Sequence, residues 1–129
     1  MAIAHFTLAT RDVGRSCRFF EVALGWRPID RPSNIPLPAA WLEIAPGQEI
    51  HLVHVADFQP SPFEQEFGRH VALSYPRSGF AALKQRLVEQ GAELVAPARA
   101  TPFERFFFRS PDGYVFEVIE AEHLASVGA

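Results

Sequence analysis

One cysteine, Cys17, is present in 129 residues. No intrachain disulfide framework can form, and a reducing, cytoplasmic setting is the expectation. No apolar stretch comes near the ~18 uninterrupted residues that a membrane span requires, and Met1 to Thr10 lack the charged and apolar blocks of a secretory signal. No membrane partner is expected. Positive charge is also scarce: 12 Lys and Arg stand against 15 Asp and Glu, a formal net charge of −3. The chain has no general basic field to hold a phosphate backbone, so no nucleic acid partner is expected. A glycine-rich phosphate loop, a CxxC pair and a GxSxG elbow are all missing, which leaves nucleotide-binding and serine-hydrolase readings without support. Tyr and Trp are scarce, two of each, against twelve Phe. That balance implies either a thick Phe core or an apolar pocket for a small molecule.

What is present is the composition of a globular protein, 48% hydrophobic and 21% charged, at a length that favours one domain. Residues 2–9 alternate as a strand, with Phe6 and Leu8 on one face and His5 and Thr7 on the other. Asp12 reads as a helix N-cap. Val13, Cys17, Phe20 and Leu24 then recur at helical spacing until Gly25 supplies the stop. Four prolines make residues 27–40 extended or looping, with room for one short strand, and two strands follow around the Pro46-Gly47 turn. Residues 56–69 have no period and read as a surface linker. The pattern then restarts: a strand over 69–75, a helix capped by Ser78 and stopped by Gly91, a strand over 105–109, the turn Ser110-Pro111-Asp112-Gly113 and a strand over 114–120.

Subtraction tests whether this is a repeat. Gly25 and Gly91, Gly47 and Gly113, and His51 and Glu117 all differ by 66 positions, and His5 and His70 by 65. The fold class expected is α+β, a duplicated β-α-β-β(β) module divided as 1–56, a linker 57–68, a second module 69–122 and a short polar tail 123–129.

The repeat isolates His5 and His70 on the first strand of each half and His51 and Glu117 on the last. All four face away from the helix-packing surface, so two curved sheets brought together would aim them into one concavity. Imidazole and carboxylate are first-choice ligands for Zn, Ni, Fe, Mn or Co, held at the ~2.0–2.2 Å that zinc requires, so one divalent metal ion per site is the expectation. Taken singly, a strand histidine is more often structural. His54 faces the other side of its strand, His123 belongs to the solvated tail, and Glu49 and Glu120 are weak candidates at strand ends. Cys17 reads as a small hydrophobe in the first helix. Phe103, Phe106, Phe107, Phe108 and Trp41 read equally as pocket wall or as core. Arg105 and Arg109 read as solvated surface, with contact to an anionic substrate as the alternative.

These residues resemble a known family. His5-Phe-Thr-Leu with Asp12 and the run Phe19-Phe-Glu-Val-Ala-Leu-Gly25-Trp is similar to the opening of the vicinal oxygen chelate superfamily, which includes glyoxalase, bleomycin-resistance and dioxygenase proteins. Trp41-Leu-Glu-Ile, Ile50-His51-Leu, His70-Val-Ala-Leu and Phe107-Phe-Arg-Ser-Pro-Asp-Gly113-Tyr-Val-Phe-Glu117 carry the likeness through nearly the whole chain. The resemblance implies paired βαβββ modules forming an open, cup-shaped barrel, and a homodimer whose sites are shared between chains. It implies His5, His70 and Glu117 as metal ligands, with His51 a fourth ligand or a neighbouring proton acceptor, and Glu117 as the companion catalytic group. The implied function is a divalent-metal-dependent lyase, isomerase or transferase acting by Lewis-acid chemistry on a small carbonyl, enolate or epoxide-type substrate. The alternative is a non-catalytic protein of the same fold that binds and sequesters an antibiotic. Ala9 and Val55 stand where glyoxalase I enzymes carry glutathione-contacting residues, which argues against glutathione chemistry.

Overall fold

A computed structural model describes residues 1–127, which divide into a first unit, Met1–Gln59, and a second beginning at Pro60. The first unit runs β1 (His5–Thr10), α1 (Val13–Leu24), β2 (Arg27–Ile29), β3 (Ala39–Ala45) and β4 (Gln48–His54). Its sheet has the order β1-β4-β3-β2, with β1 and β4 parallel and the other pairs antiparallel. Local chemistry fixes both ends of α1. The Asp12 carboxylate accepts the Arg15 amide at 3.0 Å, and Gly25, at φ 72°, donates its amide back to the Glu21 carbonyl.

The buried face of α1 is Ser16, Phe19, Phe20 and Ala23, whereas spacing alone pointed to Val13, Cys17, Phe20 and Leu24. Both sets have helical period. The two adjacent phenylalanines decide the rotation, because they bring the largest apolar area and lock edge to face at 5.2 Å, with Phe20 also stacked on Trp26 at 5.3 Å. Cys17 is left at the flank, half-buried. Leu8, Leu42, Ile50 and Leu52 complete this core.

The second unit repeats the plan with β5 (Val71–Tyr75), α2 (Phe80–Glu89), β6 (Glu93–Val95), β7 (Arg105–Arg109) and β8 (Val115–Glu120), in the order β5-β8-β7-β6. Again the first and last strands pair in parallel. The register carries the offsets seen in the sequence: Thr7 and Trp41 flank His51, as Ala72 and Phe107 flank Glu117. The four glycines with positive φ are Gly25, Gly47, Gly91 and Gly113, the same four that the repeat aligns. The expected α+β fold of two βαβββ modules is the fold observed.

Two local readings change. Ser78 does not cap α2; it lies in a 3-10 turn, Arg77–Gly79, and Gly79 precedes the helix with no side-chain cap. Packing sets this entry, since a Cβ on Gly79 would meet the Tyr75 ring at 2.5 Å. The segment read as a polar tail forms a third helix, α3 (Ala121–Val127); residues 128–129 of that reading lie outside the described ones. Two tertiary partners hold α3. The His123 ring stacks on Phe103 at 4.0 Å, and the Glu122 carboxylate accepts the Arg77 amide at 3.2 Å.

The Phe-rich strands fill the second core. Phe106, Phe108, Phe116 and Val118 line one face of the sheet, where Phe80 of α2 meets Phe106 edge-on at 5.1 Å. The opposite face carries Arg105, Phe107, Arg109, Val115 and Glu117, by the two-residue period of the strands. Among the described residues no helix is long and apolar enough to cross a membrane.

Candidate functional site

Each unit presents one pair of the four expected residues on the sheet face away from its helix. In the first unit His5 and His51 stack at 3.9 Å with their planes 19° apart, and Trp41 stacks on His51 at 3.6 Å. Because β4 lies between β1 and β3, the His51 ring is held between the other two. Its Nε2 lies 2.9 Å from Glu49 Oε1. An ionised carboxylate only accepts, so Nε2 carries the hydrogen and Nδ1 keeps the lone pair. Glu49, a weak candidate by sequence, is therefore the group that orients His51.

In the second unit His70 Nε2 lies 3.4 Å from Glu117 Oε1. The His70 Nδ1 is 3.3 Å from the Gln65 carbonyl, which can only accept, so the hydrogen sits on Nδ1. In the neutral ring Nε2 then turns a lone pair toward a carboxylate oxygen. Two acceptors face each other at this spacing when a cation or a proton lies between them. Two ligands about 2.1 Å from a tetrahedral ion would be about 3.4 Å apart. The donor chemistry of this pair thus fits a divalent metal, with the backbone carbonyl fixing the imidazole as outer partners of metal ligands do. Among the described residues, no group of three or more His, Cys, Asp or Glu is arranged to hold a metal ion. Each unit supplies two of the four candidates.

Glu117 is 7% exposed, and its second oxygen, Oε2, accepts from Arg105 Nη1 at 2.9 Å. Arg105 was read as solvated surface; it is buried. Its Nη2 donates to Glu66 Oε2 at 3.1 Å and to the Arg99 carbonyl, and its guanidinium lies 5.0 Å over the Phe107 ring. Burial alone would lower the Arg105 pKa, but the bonds and charges of Glu117 and Glu66 outweigh it and raise the value. Glu66 accepts in addition from the amides of Ala98 at 2.7 Å and Arg99 at 3.1 Å. Desolvation pushes its carboxyl upward, yet those amides and Arg105 hold it below the ordinary carboxylate value.

The reading of 57–68 as a surface linker missed Gln65 and Glu66, together with the buried Glu64, which accepts the Val115 amide and an Arg69 N–H, each at 2.8 Å. Two prolines without periodicity hid these contacts. Arg105 carried a usable signal, since it shares strand parity with Phe107, the residue that pairs with Glu117.

The Glu66 shift has a consequence in acid. A carboxyl whose folded pKa is lowered contributes stability above its unfolded value, about 4.3, and loses it as pH falls through the folded value. Glu66→Gln is expected to flatten the loss of stability below about pH 4, read as urea midpoints across a pH series.

The remaining candidates fall outside both pairs. His54 is half-buried opposite Thr10, and Glu120 lies 3.6 Å from Arg77. Burial, with help from Glu21, pushes the Cys17 thiol up, away from nucleophilic use.

Paired βαβββ units, each with two polar side chains at positions related by the repeat, define a duplicated α+β scaffold. The model of the Glyoxalase/Bleomycin resistance protein/Dioxygenase superfamily matches residues 2–118, and the chain belongs to that family. It is 25% identical over 130 residues to "Glyoxylase I 4" of Arabidopsis thaliana, covering 98% of this chain and 74% of that protein. Among solved structures it is similar to fosfomycin resistance protein FosX from Mesorhizobium loti, with TM-score 0.76, 15% identity and coverage of 99% and 98% of the two chains. It is also similar to a FosX mutant from Listeria monocytogenes complexed with Mn(II) and 1S,2S-dihydroxypropylphosphonic acid, with TM-score 0.73, 17% identity and coverage of 92% and 88%.

Proposed function

We propose that this protein is a divalent-metal-dependent enzyme, cytoplasmic and homodimeric, acting on a small carbonyl, enolate or epoxide-type substrate in lyase, isomerase or transferase chemistry. His5, His51, His70 and Glu117 are the proposed ligand set for one Zn, Ni, Fe, Mn or Co ion, two residues from each module, in a site shared between chains. The observation that carries this reading is the His70–Glu117 pair, whose ring nitrogen and carboxylate oxygen lie 3.4 Å apart. Superfamily membership and the Mn(II) complex of the FosX relative support it.

The metal, when bound, supplies Lewis-acid stabilisation of an oxyanion on the substrate. The chain's own residues do the rest. Arg105 holds Glu117 Oε2 and so leaves Oε1 to ligate or to take a proton. Glu49 fixes His51 with its hydrogen on Nε2, so that Nδ1 is the atom available to ligate or to accept a proton. Trp41 lies flat against His51 and Phe107 meets His70 edge-on, so each aromatic covers part of one imidazole.

The test is metal analysis of protein purified without added metal, with His70→Ala and Glu117→Gln beside the wild type. Wild type is expected to carry or take up one transition-metal ion per chain, and each variant to lose at least about tenfold in metal affinity. A wild type that takes up no metal, with both variants still binding small molecules, would favour sequestration over catalysis.

A further inference from the structure

The second unit holds a cleft of about 180 Å³ between residues 65–67 and the Glu117 face of the sheet. Phe67, Val95, Phe107 and Val115 are among its apolar walls, and Arg109, Gln65 and Glu66 are its polar residues. Phe107 is shared with the metal-ligand candidates, since its ring also meets His70 edge-on at 5.4 Å. The cleft and the His70–Glu117 pair thus share Phe107 as a neighbour.

Charge separates Arg109 from its neighbours. Arg69 is paired with Glu64, and Arg105 is paired with both Glu66 and Glu117. The Glu66 carboxylate at the cleft already accepts three hydrogen bonds, from the Ala98 and Arg99 amides and from Arg105 Nη2, so its charge is engaged. Arg109 donates only to carbonyls, to Gly113 O at 3.2 Å and to Glu64 O at 3.3 Å. Two of its five N–H donors are used on neutral groups, and among the described residues no carboxylate answers its charge.

We propose that this cleft binds a small monoanion with a flat apolar body, a carboxylate on a ring of benzoate size, with Arg109 reading the anion and Phe67, Val95 and Val115 enclosing the body. The volume sets the size class, since it lies below the roughly 300–1,000 Å³ of pockets for drug-sized ligands. A guanidinium with donors to spare sets the charge and favours a planar oxyanion. The inference deepens the proposed function by giving its substrate an anionic, apolar end, and it rests on that reading only in taking the occupant to be the substrate.

The experiment uses metal-free, full-length protein, with benzoate and its neutral isostere benzamide as probes, followed by amide ¹H–¹⁵N shifts. Benzoate is expected to move the resonances of Ala98 and Val115. Arg109→Gln should weaken benzoate by about tenfold or more, the effect of losing a charge-assisted hydrogen bond, and leave benzamide unchanged. Ala98→Trp, which fills the cleft and keeps Arg109, should abolish both. His70→Ala should retain benzoate binding, so a failed metal site and a failed anion site give different results. Equal benzoate affinity in wild type and Arg109→Gln, or binding that survives Ala98→Trp, would overturn the proposal.

Discussion

Arg105→Met is expected to destabilise the protein by about 3–5 kcal/mol, the cost of removing one partner from a buried ion-pair network. The Arg105 side chain is 3% exposed and bridges Glu117 and Glu66 at 2.9 and 3.1 Å. Methionine fills similar space but leaves both carboxylates without their cation. Glu66 keeps the Ala98 and Arg99 amides, whereas Glu117 keeps only its contact with His70. The loss should shrink toward low pH, because a protonated carboxyl is no longer a buried charge. Adding Glu117→Gln to Arg105→Met should recover part of the loss by the same logic. Urea unfolding of the single and double variants at two pH values is the measurement, and an Arg105→Met cost below about 1 kcal/mol would mark the bridge as no stronger than a surface pair.

Phe20→Ala should cost about 3–5 kcal/mol, in this case through an apolar cavity. Phe20 is 1% exposed, stacks on Trp26 and meets Phe19 edge to face. Truncation empties the contact between α1 and its sheet, and the backbone, fixed by the Asp12 and Gly25 caps, has little freedom to close over the space. Against a typical total of about 5–15 kcal/mol, this is enough to leave the first unit partly open. Hydrogen exchange should show it as lost protection in α1 and β4. Val13→Ala and Leu24→Ala, which sequence spacing alone ranked equal with Phe20, should each cost well under half as much, because those side chains are only half-buried.

How much of the site was legible in the sequence depends on the range of the interaction that made each part. The pairing of His5 with His51 and of His70 with Glu117 was legible because a two-residue period fixes which face of a sheet a side chain takes, and the 65- and 66-residue offsets relate the two pairs. Arg105 was misread because its partner Glu117 lies on the next strand. Glu66 was hidden because the chain brings it to Arg105 across 39 positions, through a segment with no regular period.

The sequence by itself determined the β-α-β-β(β) order written twice, the two caps of α1, the four positive-φ glycines and the face on which the ligand candidates lie. These follow from periodicity and backbone stereochemistry, which act over a few residues. Tertiary structure alone decided the rotation of α1, the helical form of the last segment, and the Glu66–Arg105–Glu117 bridge. Those outcomes depend on which apolar surfaces and charges meet when distant parts of the chain pack, and burial then fixes their cost; local spacing carries no record of either.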